Sequence, residues 1–145
     1  MVSVLKENLE IRSLTEREFK TLIEEADTNE TWGLKRLESP YEYLSKNSVE
    51  SSGMIGDGRP LYFACLIKEN DKYTLWTVVN KNVKSQFSMY KFSKRIVSEW
   101  AKKYKEIYAT MRTVNQNNIE WTKRIGFKVI SQYDDIIKFK LVEES

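Results

Sequence analysis

Histidine is missing from all 145 residues, and that one absence removes several chemistries. Serine–histidine and cysteine–histidine nucleophile pairs are excluded, as are zinc sites built on imidazole. Cysteine occurs once, at Cys65. An internal disulfide and a thiolate metal cluster are therefore excluded, and no metal site is expected. Cys65 sits within the apolar run 61–67, which marks it as a buried thiol in a chain suited to a reducing compartment. Only two prolines and five glycines are present, and no Pro/Gly/Ser-rich linker, repeat or low-complexity tract interrupts the chain. One domain over residues 1–145, with a core from about residue 8 to about residue 142, is the expectation. No apolar run approaches the roughly 18 residues that span a bilayer. The first seven residues turn acidic too soon for a signal peptide. A cytoplasmic protein with no membrane partner is expected.

What is present is a well-supplied core and an uneven surface. Hydrophobic residues make up 41% of the chain and charged residues 31%, enough for both a packed interior and a solvated exterior. Residues 1–60 carry 12 acidic and 8 basic side chains, whereas residues 61–145 carry 9 acidic and 16 basic ones. The second part is thus able to attract a phosphorylated ligand. A nucleic-acid partner is not expected, because the excess is small and no recognition motif accompanies it.

The pattern along the chain is that of an α+β protein. Residues 9–12 alternate as a short strand. Thr15 and Glu18 form a capping box, with Leu14 and Phe19 placed as a hydrophobic staple, and the helix ends near residues 27–29. A short helix is compatible with residues 31–37, and Ser39-Pro40 reads as an N-cap followed by proline at the first helical position. Residues 51–79 read as three antiparallel strands, turning at Asp57-Gly58 and at residues 69–72. Next come the polar loop 80–88 and a helix whose apolar face is Met89, Phe92, Ile96, Val97, Trp100, Ala101 and Tyr104. The basic residues Lys91, Lys94, Arg95, Lys102, Lys103 and Lys105 form its solvated side. A strand over 106–111, a helix from Asn115 to Gly126 and a final hairpin around residues 133–135 complete a β-α-α-β-β-β-α-β-α-β-β order. The order strand, polar loop, helix suits an anion at the helix N-terminus, yet it equally describes a plain connection.

This element order is joined to an asparagine, Asn115, eleven residues before the tag Lys123-Arg124-Ile125-Gly126-Phe127. Together they resemble the GCN5-related N-acetyltransferase (GNAT) superfamily over about residues 8–142. Gly58-Arg59-Pro60-Leu61, Trp76-Thr77-Val78-Val79 and the Asn115 to Gly126 segment are similar to the acetyltransferase-like proteins of tailed phages, the internal virion protein A type. The resemblance implies a GNAT-like three-layer fold with a mainly antiparallel mixed sheet flanked by helices. It also implies acetyl-CoA as cofactor, its pyrophosphate cradled by the loop after Val79 and its acetyl group beside residues 76–79. Cofactor contacts would fall on Val78, Val79, Lys81, Lys84, Ser85, Gln86, Phe87, Ser88 and Asn115, although Asn115 is equally explained as a helix cap. An amine acceptor, small molecule or protein, would enter from the side of residues 32–48.

The chain departs from the family pattern in three respects. Lys84 keeps a positive charge on the phosphate loop, but Ser85, Phe87 and Met89 occupy positions where the family has glycines or small residues, and side chains there obstruct close backbone approach. The family's thiolate-protonating tyrosine is Thr122 here, a far weaker acid. No carboxylate lies between residues 73 and 98 to act as a base. Thr122 and Tyr62 are the candidate catalytic residues, with Tyr108 and Glu120 as substitutes. Two functions remain open: an N-acetyltransferase, or a GNAT-fold protein without catalysis that acts in phage assembly or on a host protein.

Overall fold

The computed structural model describes residues 9–26, 31–82 and 86–142, and of Trp32, Gln86 and Phe87 the backbone alone. The elements are β1 (Leu9–Arg12), α1 (Glu16–Glu25), α2 (Trp32–Lys35), α3 (Pro40–Asn47), β2 (Ser48–Gly56), β3 (Arg59–Glu69), β4 (Lys72–Val79), α4 (Gln86–Tyr104), β5 (Glu106–Arg112), α5 (Gln116–Ile125), β6 (Lys128–Tyr133) and β7 (Ile136–Val142). They build one seven-stranded sheet in the order β1-β2-β3-β4-β5-β7-β6. Every neighbouring pair is antiparallel except β4 with β5, which run parallel and are joined through α4. This is the α+β, three-layer arrangement with a mixed sheet that the residue pattern predicts.

Local chemistry sets the connections. The β2–β3 turn places Asp57 and Gly58 at φ of 51° and 78°, and the β3–β4 turn places Asn70 and Asp71 at 50° and 66°. Two left-handed residues in a row match the right-handed twist of the strands they join, and Asn, Asp and Gly tolerate that region best. Gly53 is required for another reason. It stands opposite Arg12 on β1, and a Cβ there would lie 2.9 Å from the Arg12 backbone oxygen and 2.6 Å from Leu14 Cδ2.

Two cores sandwich the sheet. On one face α1 presents Phe19 and Leu22, at 1% and 0% exposure, to Phe63, Cys65, Ile67 and Val78, with Leu34 of α2 and Leu44 of α3 alongside. Full burial of a side chain such as Phe19 or Leu22 stabilises by about 1.5–3 kcal/mol. The other face carries α4 and α5. Met89, Phe92, Ile96, Val97, Trp100 and Ala101 pack with Leu61, Ala64, Leu66, Ile107 and Phe139. The predicted stripe of α4 is thus its buried face. β3 is buried on both sides from Pro60 to Ile67, which explains why its sequence is continuously apolar rather than alternating.

The capping box of α1 forms as the spacing requires. Thr15 Oγ1 accepts from the Glu18 N–H at 3.2 Å, and the Thr15 N–H donates to Glu18 Oε1 at 2.9 Å. Other local expectations are corrected. Helix α1 closes at Glu25, with Ala26 already extended, and residues 27–30 lie outside the described residues. Strand β2 begins at Ser48 rather than at residue 51, while the short helix compatible with residues 31–37 is present as α2 and adds a third helix to the two in the expected element order. Ser39 and Asn115 each precede a helix, yet neither side chain makes a capping hydrogen bond. Gly126 does close α5, at φ 125°, a conformation that side chains rarely adopt.

Candidate functional site

The centre of the sheet is incompletely zipped. β3 holds β4 in register along its whole length, and β7 does the same for β5. Between β4 and β5 the registered pairing is confined to Thr74 opposite Tyr108. Past that pair a cavity of about 320 Å³ opens between residues 74–77 of β4 and 109–111 of β5. Backbone N–H and C=O groups on facing strand edges need partners, so a gap of this kind offers them to whatever fills it.

Strand alternation gives the cleft two distinct walls. On the α5 side stand Leu75, Thr77, Ala109 and Met111, with Asn115, Asn118 and Thr122 projecting from α5 and the residue before it. On the opposite side stand Glu69, Thr74, Trp76 and Thr110, with Gly33 and Leu34 from α2. A Cβ on Gly33 would lie 3.6 Å from Trp76 Cζ3, so α2 rests directly on the indole. Trp76 Nε1 is buried without a hydrogen-bond partner, an uncommon state for a donor.

The expected site residues distribute unevenly around this cleft. Thr122 lines it at 9% exposure, with its hydroxyl donated to the Asn118 carbonyl oxygen at 2.6 Å and 3.8 Å from Met111 Sδ. Its proton is therefore engaged within α5. Asn115 also lines the cleft, and its amide is not spent on capping. Tyr62 is fully buried beneath α4. Its hydroxyl meets Ser93 Oγ at 2.8 Å, and its ring sits edge-on to Phe92 with centroids 5.4 Å apart. It does not line the cavity. Val78 is buried in the core under α1, and Val79 packs against the core under α4. Lys81 is exposed, as is Ser88 in the first turn of α4. Gln86 and Phe87 open α4, and Lys84 and Ser85 lie outside the described residues. The two substitutes stand apart from the cleft: Tyr108 donates to Glu106 Oε2 at 3.3 Å and Glu120 is exposed.

Sequence reasoning missed the polar hub that anchors the β4–α4 loop. Asn80 is fully buried. Its Nδ2 donates to the Pro60 carbonyl oxygen and to Glu25 Oε1, each at 3.0 Å, and its Oδ1 accepts from the Asn82 N–H at 2.8 Å. Its backbone N–H donates to the Leu61 oxygen at 2.8 Å, and the Lys81 N–H donates to the Glu25 oxygen at 3.2 Å. Arg59 reaches the same carboxylate at 3.6 Å. The start of the loop is thereby tied to α1 and β3 together. Glu69, Asn118, Gly33 and Leu34 of the cleft were missed as well. The tight turn after β3 was the available signal for Glu69, because strand parity from that turn puts it on the face of Thr74 and Trp76.

Among the described residues no helix is long and apolar enough to cross a membrane. The sequence matches no protein-family model and no curated protein. The fold has many solved counterparts. A GNAT-family acetyltransferase from Bacillus anthracis superposes with a TM-score of 0.68 at 14% identity, covering 94% of this chain and 96% of that one. A PaiA N-acetyltransferase from Thermoplasma acidophilum, solved in complex with coenzyme A, gives 0.66 at 18% identity, covering 94% and 99%. The ribosomal-protein-S18-alanine N-acetyltransferase from Escherichia coli gives 0.66 at 16% identity, covering 92% and 93%. At such identities the likeness is one of fold: this chain has the GNAT acetyltransferase fold.

Proposed function

We propose that the protein transfers an acetyl group from acetyl-CoA to an amine, with the cofactor threaded through the gap between β4 and β5. The observation that carries this reading is the gap itself. Its strand edges are registered only at Thr74 and Tyr108, and a cavity of about 320 Å³ follows. Such edges complement an amide-bearing chain, and the pantetheine arm of coenzyme A is one. Asn115 and Asn118 on the α5 wall would hydrogen-bond its amides. Helix α4 has no acidic residue in its first turn, so its N-terminal end suits a pyrophosphate. Lys81 and Lys84 would supply charge there, with Ser85, Gln86, Phe87 and Ser88 around the phosphates and the thioester in the gap beside residues 76–79.

The acceptor nitrogen would attack the thioester carbonyl carbon, the C–S bond would break, and the thiolate would leave with a proton. Holding the two reactants together is the main contribution open to these residues. Thr122 would act through its lone pairs and position, since its proton is already donated to Asn118. Loss of catalysis with retention of the fold is the second reading, favoured by that engaged hydroxyl and by the occurrence of Phe87 and Met89 in the sequence where the resembled family has small residues. The structural neighbours above come from cellular organisms, so the phage affiliation draws no support from them.

Titration of acetyl-CoA into the purified protein, read by calorimetry, tests the proposal. Micromolar binding that Lys84→Glu weakens about tenfold is expected for a charged phosphate contact. No binding at millimolar cofactor would overturn it.

A further inference from the structure

The lining of the cleft contains one charged side chain among the described residues, and it is Glu69. Everything else around the cavity is apolar, a hydroxyl, an amide or a glycine. Glu69 closes β3 at the rim on the α2–α3 side. Tyr43 of α3 donates its hydroxyl to Glu69 Oε2 at 3.3 Å. Burial, then the Glu69 charge, pushes the Tyr43 phenol above its ordinary value, so it remains a donor at neutral pH. This bond engages one carboxylate oxygen, Oε2.

The lysine that pairs with Glu69 in register is directed elsewhere. Lys72 faces it across the β3–β4 turn, but its Nζ lies over the Tyr108 ring, 5.0 Å from the centroid. Lys140 lies over the same ring at 5.6 Å and pairs with Glu106 at 3.4 Å. Inward from Glu69 the wall is uncharged and largely apolar: Leu34 is 2% exposed, the Trp76 indole lies against Gly33, and Thr74 and Thr110 add hydroxyls. A carboxylate at the rim of a largely apolar slot complements a cation carried on a short hydrocarbon stem.

We propose that Glu69, positioned by Tyr43, is the ammonium-binding group of this cleft, and that the ligand it selects is a primary alkylamine with an unbranched apolar stem. The stem lies against Trp76 and Leu34, and the ammonium sits at Glu69. Within the acetyl-transfer reading Glu69 anchors a remote ammonium, because it pairs with Lys72, several residues along β4 from the proposed thioester position, and the attacking nitrogen is a second amine further along the stem. The binding itself does not depend on that reading. A free diamine and a lysine side chain of a peptide share this chemistry.

Calorimetry with three probes tests it: 1,5-diaminopentane for the free amine, Nα-acetyl-lysine methylamide for the peptide side chain, and 1-pentanol as an uncharged stem. At least one amine is expected to bind and pentanol to bind far more weakly. Glu69→Gln is expected to weaken the amine about tenfold, the scale of one lost charge contact. Tyr43→Phe is expected to weaken it less, while leaving acetyl-CoA affinity unchanged. Both variants should melt with the wild type, because the Tyr43–Glu69 bond is exposed. Binding of neither amine at millimolar concentration, or equal binding to wild type and Glu69→Gln, would overturn the proposal. Amine binding without acetyl-CoA binding would leave it standing and remove the transfer reading. Acetyl-CoA binding with an indifferent Glu69 would do the reverse.

Discussion

Replacing Asn80 by alanine isolates the hub that pins the β4–α4 loop. The substitution deletes three side-chain hydrogen bonds, to Pro60, Glu25 and Asn82, at a site with no solvent exposure. Water cannot readily replace the lost partners, so the Pro60 carbonyl oxygen is left short of a donor. A net hydrogen bond contributes about 1 kcal/mol, and one to a charged group more. The expected loss is therefore about 3 kcal/mol. With a urea m-value of about 2 kcal/mol/M, the unfolding midpoint should fall by about 1.5 M. The melting temperature should fall by roughly 6–12 °C. Asn80→Asp sharpens the test. It has the same shape and keeps the acceptor for the Asn82 N–H, but it turns a carboxylate oxygen toward Pro60 O and Glu25 Oε1. Two attractions become two repulsions, so the loss should be at least as large as for alanine. Acetyl-CoA affinity should fall with stability, because the loop proposed to hold its phosphates begins at this residue. An alanine variant within about 1 kcal/mol of wild type, or an aspartate variant as stable as wild type, would refute the reasoning.

Two further outcomes follow from buried or paired groups. Arg12 grips Glu18 with two hydrogen bonds of 2.8 Å, and this, ahead of the Thr15 cap, lowers the Glu18 carboxyl from its ordinary 4.5 to about 2. A carboxylate with a depressed folded value stabilises above its unfolded value and loses that contribution as pH falls through the folded one. The stability gap between wild type and Glu18→Gln should thus be full above about pH 4.5 and close toward pH 2, as read by urea unfolding across that range. Cys65 is fully buried, and burial pushes its thiol up to about 12. Native protein at pH 8 should not react with a disulfide reagent such as DTNB, whereas protein in urea should react at once. Rapid native labelling would contradict the packing of β3 between the two cores.

The amino-acid sequence by itself determined what depends on neighbours a few residues apart. The capping box of Thr15 and Glu18, the turns at Asp57-Gly58 and Asn70-Asp71, the buried stripe of α4 and the glycine that closes α5 all follow from spacings of one to four residues or from φ preferences. The absence of histidine and the solitary cysteine likewise removed whole chemistries without reference to any fold. Tertiary structure decided the site. Asn80 looks like any loop asparagine until Pro60 and Glu25, 20 and 55 residues away, are brought onto it. Asn115 reads equally as a cofactor contact and as a cap, and the structure puts it on the wall of the cleft without a capping bond, while Tyr62 reads as a reactive phenol and is instead core. Glu69 sits in an ordinary turn sequence, and only the approach of α2 and α3 makes it the one charge among the described residues that lines the cavity. The gap between β4 and β5 has no local signal, because β3 and β7 satisfy the outer edges of those strands and their separation is set by long-range packing rather than by either strand's own residues.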